Sequence, residues 1–155
     1  PYDEFREKAS EHFWRTLEEQ GTPKKKGVSE ILAFLKENGW KVGLASSTAR
    51  ESVLRHLEKE GLAGYFSVVV GGDQITHSKP DPDIYLLACR ELGADPRETF
   101  AIEDSYHGIR AAHSAGMMPI MVPDLLPATE EMEGLCVEIK ENLIQVKEYF
   151  ESWQI

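Results

Sequence analysis

The chain has 155 residues, a net charge of −10 and a hydrophobic share of 41%, which is typical of one folded domain with a buried core. The strong negative charge argues against a nucleic-acid or anionic-membrane partner, and no apolar run is long enough to span a bilayer. No signal peptide is visible, and Cys89 and Cys136 lack metal-type spacing, so both indicate reduced thiols in a cytoplasmic protein, with a single disulfide as the alternative.

The first segment of the chain has a helical pattern. Its apolar residues recur every four positions, at Phe5, Ala9, Phe13 and Leu17. This spacing predicts one helix over residues 3–20. A glycine and a run of three lysines follow, and they predict a solvated connection up to residue 26.

From Gly27 onward, helical patterns alternate with short apolar segments. Strands are predicted at 42–45, 65–70, 100–102 and 118–122, with a helix after each of the first three and a last helix over 141–152. This alternation predicts an α/β fold: a Rossmann-like parallel sheet with helices on both faces. Polar residues that follow such strands meet at one edge of the sheet, where ligands bind.

Several residues predict where the helices begin. Thr48 with Glu51 has the spacing of a capping box. Asp81-Pro82 is typical of an N-cap followed by proline at the first helical position. Ser105 or Asp104 is expected to cap the next helix.

Three polar clusters follow the predicted strands, and each has a purely structural alternative. Residues 46–48, Ser-Ser-Thr, offer hydroxyl and backbone N–H groups to a phosphate, or they simply cap a helix. Lys79 lies in a loop stiffened by prolines, where a fixed cation would stabilise a transferring phosphoryl group. Glu103 and Asp104 end a strand and could bind a hard cation such as Mg²⁺, or serve as a cap and a surface acid.

The order of these clusters carries a family resemblance. The matching strings are GLASST at 43–48, SKPDPDIY at 78–85 and AIEDSYHGIRAAHSAGM at 101–117. With these strings the chain resembles the haloacid dehalogenase-like (HAD-like) superfamily, in the branch of beta-phosphoglucomutase and small sugar-phosphate phosphatases. The resemblance covers roughly residues 27–125.

The resemblance implies a role for each matching residue. Ser46 is implied to hydrogen-bond a phosphoryl oxygen, and Lys79 to pair with the phosphoryl group and the nucleophile. Glu103 and Asp104 are implied to hold Mg²⁺, with Asp104 as the direct ligand. Contacts with the rest of a phosphorylated small-molecule substrate are implied for Ser47, Thr48 and Arg50.

The implied activity is Mg²⁺-dependent hydrolysis of a small phosphomonoester, such as a sugar phosphate, through an aspartyl phosphate. Phosphoglucomutase-type transfer is one alternative. A non-catalytic phosphate-binding or regulatory protein is another, although Asp104 is poorly placed as the phosphate acceptor of a receiver domain. A dehalogenase acting on carbon–halogen bonds needs no Mg²⁺, so the paired acids argue against it.

The family's first motif, Asp-x-Asp-Gly-Thr, is not found. Asp81-Pro82-Asp83 is the only Asp-x-Asp, and it belongs to the third motif. Family topology places the missing motif at the end of the central first strand. We therefore expect residues 1–26 to be the end of a helical cap and a linker, and 27–155 to be a HAD-like core without that strand. The chain alone is then expected to be inactive, with the missing N-terminal segment of the same protein as its partner.

Overall fold

This computed structural model describes the backbone of residues 4–7 and residues 26–153 in full. It contains one six-stranded sheet in the order β3-β2-β1-β4-β5-β6, and every neighbouring pair of strands is parallel. The strands are β1 (Glu4–Glu7), β2 (Lys41–Ala45), β3 (Val68–Val70), β4 (Thr99–Glu103), β5 (Met118–Met121) and β6 (Glu138–Ile139).

Helices connect most of these strands. They are α1 (Val28–Glu37), α2 (Arg50–Lys59), α3 (Asp83–Leu92), α4 (Tyr106–Ser114), α5 (Glu130–Leu135) and α6 (Leu143–Trp153). Short 3-10 turns lie at Ala63–Tyr65, Gly72–Gln74 and Pro96–Glu98. None of the helices in the described part of the chain is both long and apolar enough to cross a bilayer.

The sheet has helices on both faces, which confirms the predicted α/β architecture. On one face, apolar residues of α1, α2 and α6 pack on large strand residues such as Leu44, Phe100 and Ile102. On the other face, α3 and α4 pack on the small residues Ala45 and Ala101. The small side chains let these two helices lie close to the sheet, beside the edge where the polar clusters emerge.

The central position of the sheet is filled, and here the sequence prediction is wrong. β1 pairs with β2 on one side and β4 on the other, so the sheet has no empty slot between them. The helix predicted over 3–20 is also wrong at Glu4–Glu7, because unpaired backbone groups on two neighbouring strands favour a strand there over a local helical pattern. The rest of that predicted helix lies outside the described residues, and the domain division at residue 26 stays a prediction.

The predicted helix starts are right once and wrong twice. Ser105 caps α4, since its Oγ accepts a hydrogen bond from the Gly108 N–H. The N-cap of α2 is Ala49 rather than Thr48, and that of α3 is Pro82 rather than Asp81, neither with a side-chain cap. The error at α2 arises because a tertiary contact from Asp73, described below, supplies the missing acceptor.

The two cysteines are free thiols, as predicted. Cys89 is buried on α3 among the small residues of the second face. Cys136 is half-buried, and burial raises the pKa of its thiol to about 11. A raised pKa disfavours the reactive thiolate of Cys136, and Cys89 is buried among apolar residues, so both cysteines have a packing role.

Candidate functional site

The register of the central strands brings two of the polar clusters to one edge. Leu44 of β2 and Ile102 of β4 both pair with Glu7 of β1. Ser46 and Asp104, two residues further along, therefore leave the sheet at the same level. Neighbouring strands lie about 4.8 Å apart, so the two backbones are separated by about 10 Å with the end of β1 between them.

Lys79 joins this edge through a buried acid–lysine cluster, formed by Lys79, Tyr85 and Glu103. The Lys79 Nζ lies 3.7 Å from the Glu103 Oε2, and the two side chains are 7% and 0% exposed. Tyr85, buried on α3, donates a hydrogen bond of 2.9 Å from its hydroxyl to the same Oε2. The loop that carries Lys79 is thus connected to the strand end at Glu103 inside the protein.

The other oxygen of Glu103 is held by the start of α4. Its Oε1 accepts hydrogen bonds from the Asp104 N–H at 3.0 Å and from the Ser105 N–H and Oγ, both at 3.3 Å. A Cβ at Gly108 would overlap the Glu103 carboxylate, so only glycine allows this close approach of the helix. Donors on both oxygens fix the carboxylate in one position.

The Lys79 ammonium has unused hydrogen-bonding capacity. It lies over the Tyr85 ring, 5.7 Å from the ring centre, and within the described part of the chain it has no hydrogen-bond acceptor. The loop around it is fixed by a hydrogen bond from the Asp81 N–H to the Ser78 carbonyl and by a contact of His77 with Asp83. A buried cation needs anionic partners, so this ammonium can bind an anion at the carboxyl edge of the sheet.

The residues after β2, 46–50, form a second structure that we call the hydroxyl loop. Ser46 is fully buried, and its backbone N–H donates to the Val70 carbonyl. Its Oγ accepts a hydrogen bond from the Thr48 N–H at 3.1 Å. Ser47 is exposed and Thr48 is half-buried. Among the described residues the Ser46 hydroxyl has no acceptor for its proton, so it can donate to a phosphate oxygen.

A glycine-rich turn after β3 holds the hydroxyl loop in place. The Gly72 N–H donates to the Thr48 carbonyl at 2.9 Å, and the Asp73 Oδ1 accepts from the Arg50 N–H at 2.9 Å. A Cβ at Gly71 or Gly72 would overlap the backbone of the loop. The N-cap residue of α2 has no capping side chain, and Asp73 supplies the missing acceptor from the neighbouring turn.

The predicted site residues divide into two groups. Ser46, Lys79, Glu103 and Asp104 all lie at the carboxyl edge, and Ser47 and Thr48 follow in the hydroxyl loop. Arg50 is different, since its Nε donates to the Val69 carbonyl at 3.0 Å and so ties the loop to β3. Its role at a substrate stays a prediction.

Three residues that support the site were not predicted as such: Tyr85, Asp73 and Gly108. Gly108 gave a signal, because an isolated glycine inside a helical pattern often marks a close packing contact. Tyr85 fits an apolar helical stripe equally well, and its partner Glu103 is 18 residues away. The hydrogen bond of Asp73 spans 23 residues and has no local signature.

Two carboxylates at the edge are candidates for a metal ion. The described residues contain no group of three or more His, Cys, Asp or Glu side chains that could hold one. Mg²⁺, however, is often held by one or two carboxylates together with phosphate oxygens and water, and Asp104 is of this donor type. Because Glu103 receives hydrogen bonds on both oxygens, Asp104 fits a direct ligand better.

Comparisons with known proteins agree with this arrangement. Residues 2–122 match the family described as haloacid dehalogenase-like hydrolase. The phosphorylated carbohydrates phosphatase of Thermotoga maritima is 44% identical over 91 residues, covering 59% of this chain and 42% of that protein. Hexitol phosphatase B of Escherichia coli is 36% identical over 108 residues, covering 70% and 49%.

A solved structure shares the fold as well. The crystal structure of beta-phosphoglucomutase from Clostridium difficile has a TM-score of 0.72 and 25% identity, and covers 83% of this chain and 55% of that one. The chain spans about half the length of the curated relatives it matches. For three of these relatives the share is between 33% and 57%.

Proposed function

Because the chain belongs to the haloacid dehalogenase-like hydrolase family, we propose that its carboxyl edge binds the phosphoryl group of a small phosphomonoester and takes part in its hydrolysis. The observation that carries this proposal is the burial of Lys79. Its side chain is only 7% exposed, and its ammonium lies 3.7 Å from the Glu103 Oε2. A cation held in this way is arranged before the ligand arrives, so little reorganisation accompanies binding.

Each described residue has a distinct part in the proposed reaction. Lys79 neutralises charge on the phosphoryl oxygens. Ser46 donates its hydroxyl proton to one of those oxygens from the opposite side of β1. Glu103 orients Lys79, while Ser47 and Thr48 contact the rest of the substrate. Positioning and charge neutralisation are the main contributions of a protein to phosphoryl transfer.

Mg²⁺ is the proposed cofactor, with Asp104 as its ligand in this chain and Glu103 beside it. The ion would neutralise negative charge on the phosphoryl oxygens. Asp104 leaves the sheet one residue after Glu103, and Glu103 accepts the Asp104 N–H at 3.0 Å. The backbone that carries the ligand is therefore fixed by the acid–lysine cluster.

The nucleophile is proposed to come from a segment outside these 155 residues. The only Asp-x-Asp in the sequence is in the loop of Lys79. The resemblance implies that the nucleophile is an aspartate at the end of a strand, in a segment that precedes these residues. That aspartate would attack phosphorus as the bond to the substrate's alcohol oxygen breaks and the alcohol leaves with a proton. Water would then attack the aspartyl phosphate, which releases inorganic phosphate and restores the carboxylate.

The substrate class is proposed from the relatives. Two of them are named as phosphatases of phosphorylated carbohydrates and of hexitol phosphates. A sugar phosphate or a similar small phosphomonoester is therefore the proposed substrate. The resemblance to a beta-phosphoglucomutase supports phosphoglucomutase-type phosphoryl transfer as a second candidate. Release of inorganic phosphate from hexose 1-phosphate by the protein with its preceding segment would favour the hydrolase, and conversion to hexose 6-phosphate would favour the mutase.

The proposal is tested by phosphate binding to the 155-residue chain. Inorganic phosphate is titrated by phosphorus NMR and by calorimetry into the wild type, Lys79→Met and Lys59→Met. We expect Lys79→Met to weaken binding at least about tenfold, because it removes a charge-assisted hydrogen bond. Lys59 is exposed at the end of α2, so its substitution is the matched control and leaves affinity unchanged.

Three results would contradict the proposal. Equal phosphate affinity in Lys79→Met and the wild type would remove the anion site. Phosphatase turnover by the 155-residue chain with Mg²⁺ would show that the nucleophile lies within these residues. Phosphate binding without turnover, even with the preceding segment restored, would favour a non-catalytic binding protein.

A further inference from the structure

We infer that Tyr85 is a positioning residue, which keeps the Lys79 ammonium available to an anion by holding Glu103; this inference rests on the proposed function. Tyr85 is fully buried on α3, and its hydroxyl donates to the Glu103 Oε2 at 2.9 Å. The same oxygen faces the Lys79 Nζ at 3.7 Å. Two donors thus lie beside one acceptor atom, and only the phenol is within hydrogen-bond distance.

The separation of Lys79 and Glu103 is the central point. Direct hydrogen bonds between an ammonium and a carboxylate are about 2.7–2.9 Å long, so a distance of 3.7 Å leaves the ammonium attracted but not bound. The phenol proton reduces the negative charge that Oε2 presents to Lys79. Meanwhile the Tyr85 ring lies under the ammonium, 5.7 Å from it, and limits its movement on that side.

Removal of the hydroxyl alone changes this balance. In Tyr85→Phe the ring remains, but Oε2 loses its phenol donor. The Lys79 ammonium, 3.7 Å from this oxygen, then moves to hydrogen-bond distance from Glu103. An ammonium paired in this way is less available to a phosphate, because binding must first break the ion pair. We expect phosphate affinity to fall roughly tenfold.

A merely structural role for Tyr85 makes a different prediction. If the phenol only satisfies a buried carboxylate, its loss lowers stability, and any change in phosphate affinity is the same with Glu or Gln at position 103. If the phenol instead moderates the charge of Glu103, its loss weakens phosphate binding only when position 103 is charged. A double-mutant cycle between Tyr85→Phe and Glu103→Gln separates these cases, since the neutral amide has no charge to capture Lys79.

The experiment is a titration of inorganic phosphate into six forms of the 155-residue chain. They are the wild type, Tyr85→Phe, Glu103→Gln, the double variant, Lys79→Met and Tyr65→Phe. Tyr65 precedes β3 and so lies at the amino edge of the sheet, and its variant is the matched control. We expect roughly tenfold weaker binding for Tyr85→Phe, less than about twofold between Glu103→Gln and the double variant, and no change for Tyr65→Phe.

The outcomes distinguish the inference from the proposed function. If the wild type binds no phosphate, or Lys79→Met binds it equally well, both are overturned. If Lys79→Met loses binding while Tyr85→Phe retains it, only the role of Tyr85 is overturned. An equal loss for Tyr85→Phe in both backgrounds also overturns it.

A second variant covers the case in which Tyr85→Phe fails to fold. Incorporation of 3-fluorotyrosine at position 85 keeps the hydroxyl and makes it a stronger donor. The inference then predicts tighter phosphate binding, opposite in sign to the effect of phenylalanine. Unchanged or weaker binding would overturn it.

Discussion

The acid–lysine cluster and the hydroxyl loop lie at the same edge but are held by different forces. In the cluster, buried charged and polar side chains contact one another, and Glu103 is the common partner of Lys79 and Tyr85. In the hydroxyl loop, each of the described hydrogen bonds has a backbone group on at least one side, as from the Gly72 N–H to the Thr48 carbonyl or from the Arg50 N–H to Asp73. The charged side chains of the cluster are at most 7% exposed, whereas most of the loop is at least partly exposed.

This difference suggests how each region can be altered. A change in the cluster affects charge inside a low-dielectric interior, where a misplaced group has a large energetic cost. A change in the loop affects a surface backbone that water can reach, where lost hydrogen bonds are partly replaced. We therefore expect substitutions near Glu103 to have larger effects than those near Arg50.

The largest effect is expected for Gly108→Ala. The added Cβ overlaps the Glu103 carboxylate, so either the helix or the buried acid must move. We expect a loss of about 3 kcal/mol in the free energy of unfolding, measured by urea denaturation, together with a loss of phosphate binding. Gly134→Ala is the matched control, because a Cβ in that helix meets nothing within 4 Å. It should be stabilising by up to about 1 kcal/mol. Equal behaviour of the two variants would contradict the close approach at Gly108.

A smaller effect is expected for Asp73→Ala. This change removes the acceptor of the Arg50 N–H at the start of α2, where no residue of the helix supplies a cap. Loss of an N-cap lowers stability by about 1 kcal/mol. Asp73→Asn is the matched variant, since it keeps an oxygen acceptor and loses only the charge. We expect it to lose about half as much stability as Asp73→Ala. Hydrogen exchange of the first turn of α2 would locate the loss. A loss as large as that of Gly108→Ala would contradict the proposed contrast between the regions.

The smallest effect is expected for Mg²⁺ added to the 155-residue chain. Asp104 and Glu103 alone provide few ligands, so we expect a dissociation constant in the millimolar range or weaker. In an NMR titration, the amide signals of 103–105 should shift more than those of 46–48. Phosphate should strengthen binding by adding oxygen ligands, and Asp104→Asn should abolish the shifts. Tight Mg²⁺ binding by the wild type without phosphate would contradict this prediction.

Much of the architecture could be predicted from the sequence, because it depends on local apolar runs. Residues 42–45 and 118–122 are short and fully apolar, and each lies within one residue of the observed strand. β6 has only two residues, and α5 has one and a half turns, so neither gives a clear periodic signal. The segment 4–7 was misassigned because its spacing is helical, while its pairing depends on two strands far along the chain.

The sequence predicts candidate site residues, whose roles stay predictions, but it does not identify the residues that hold them in place. Lys79, Glu103 and Asp104 stand in strings that resemble known motifs, and Lys79 and Glu103 are in contact. The Tyr85 hydroxyl and the Asp73 carboxylate act across 18 and 23 residues, where no sequence pattern specifies a partner. The same reason explains the misplaced helix start at Thr48, since the acceptor for that helix comes from another loop.

The junction between the first and last described helices has a consequence for the time at which the protein folds during synthesis. The Leu143 N–H donates to the Lys26 carbonyl at 3.3 Å, and a Cβ at Gly27 would contact Ile144. The ring of Trp40 packs against that of Phe150 in the last described helix, in a tilted arrangement with 5.0 Å between ring centres. The last described helix must therefore be synthesised and leave the ribosome before this side of the core can close. Until then α1 has no partner for much of its apolar face, and the fluorescence of Trp40 on stalled nascent chains would report the moment of closure.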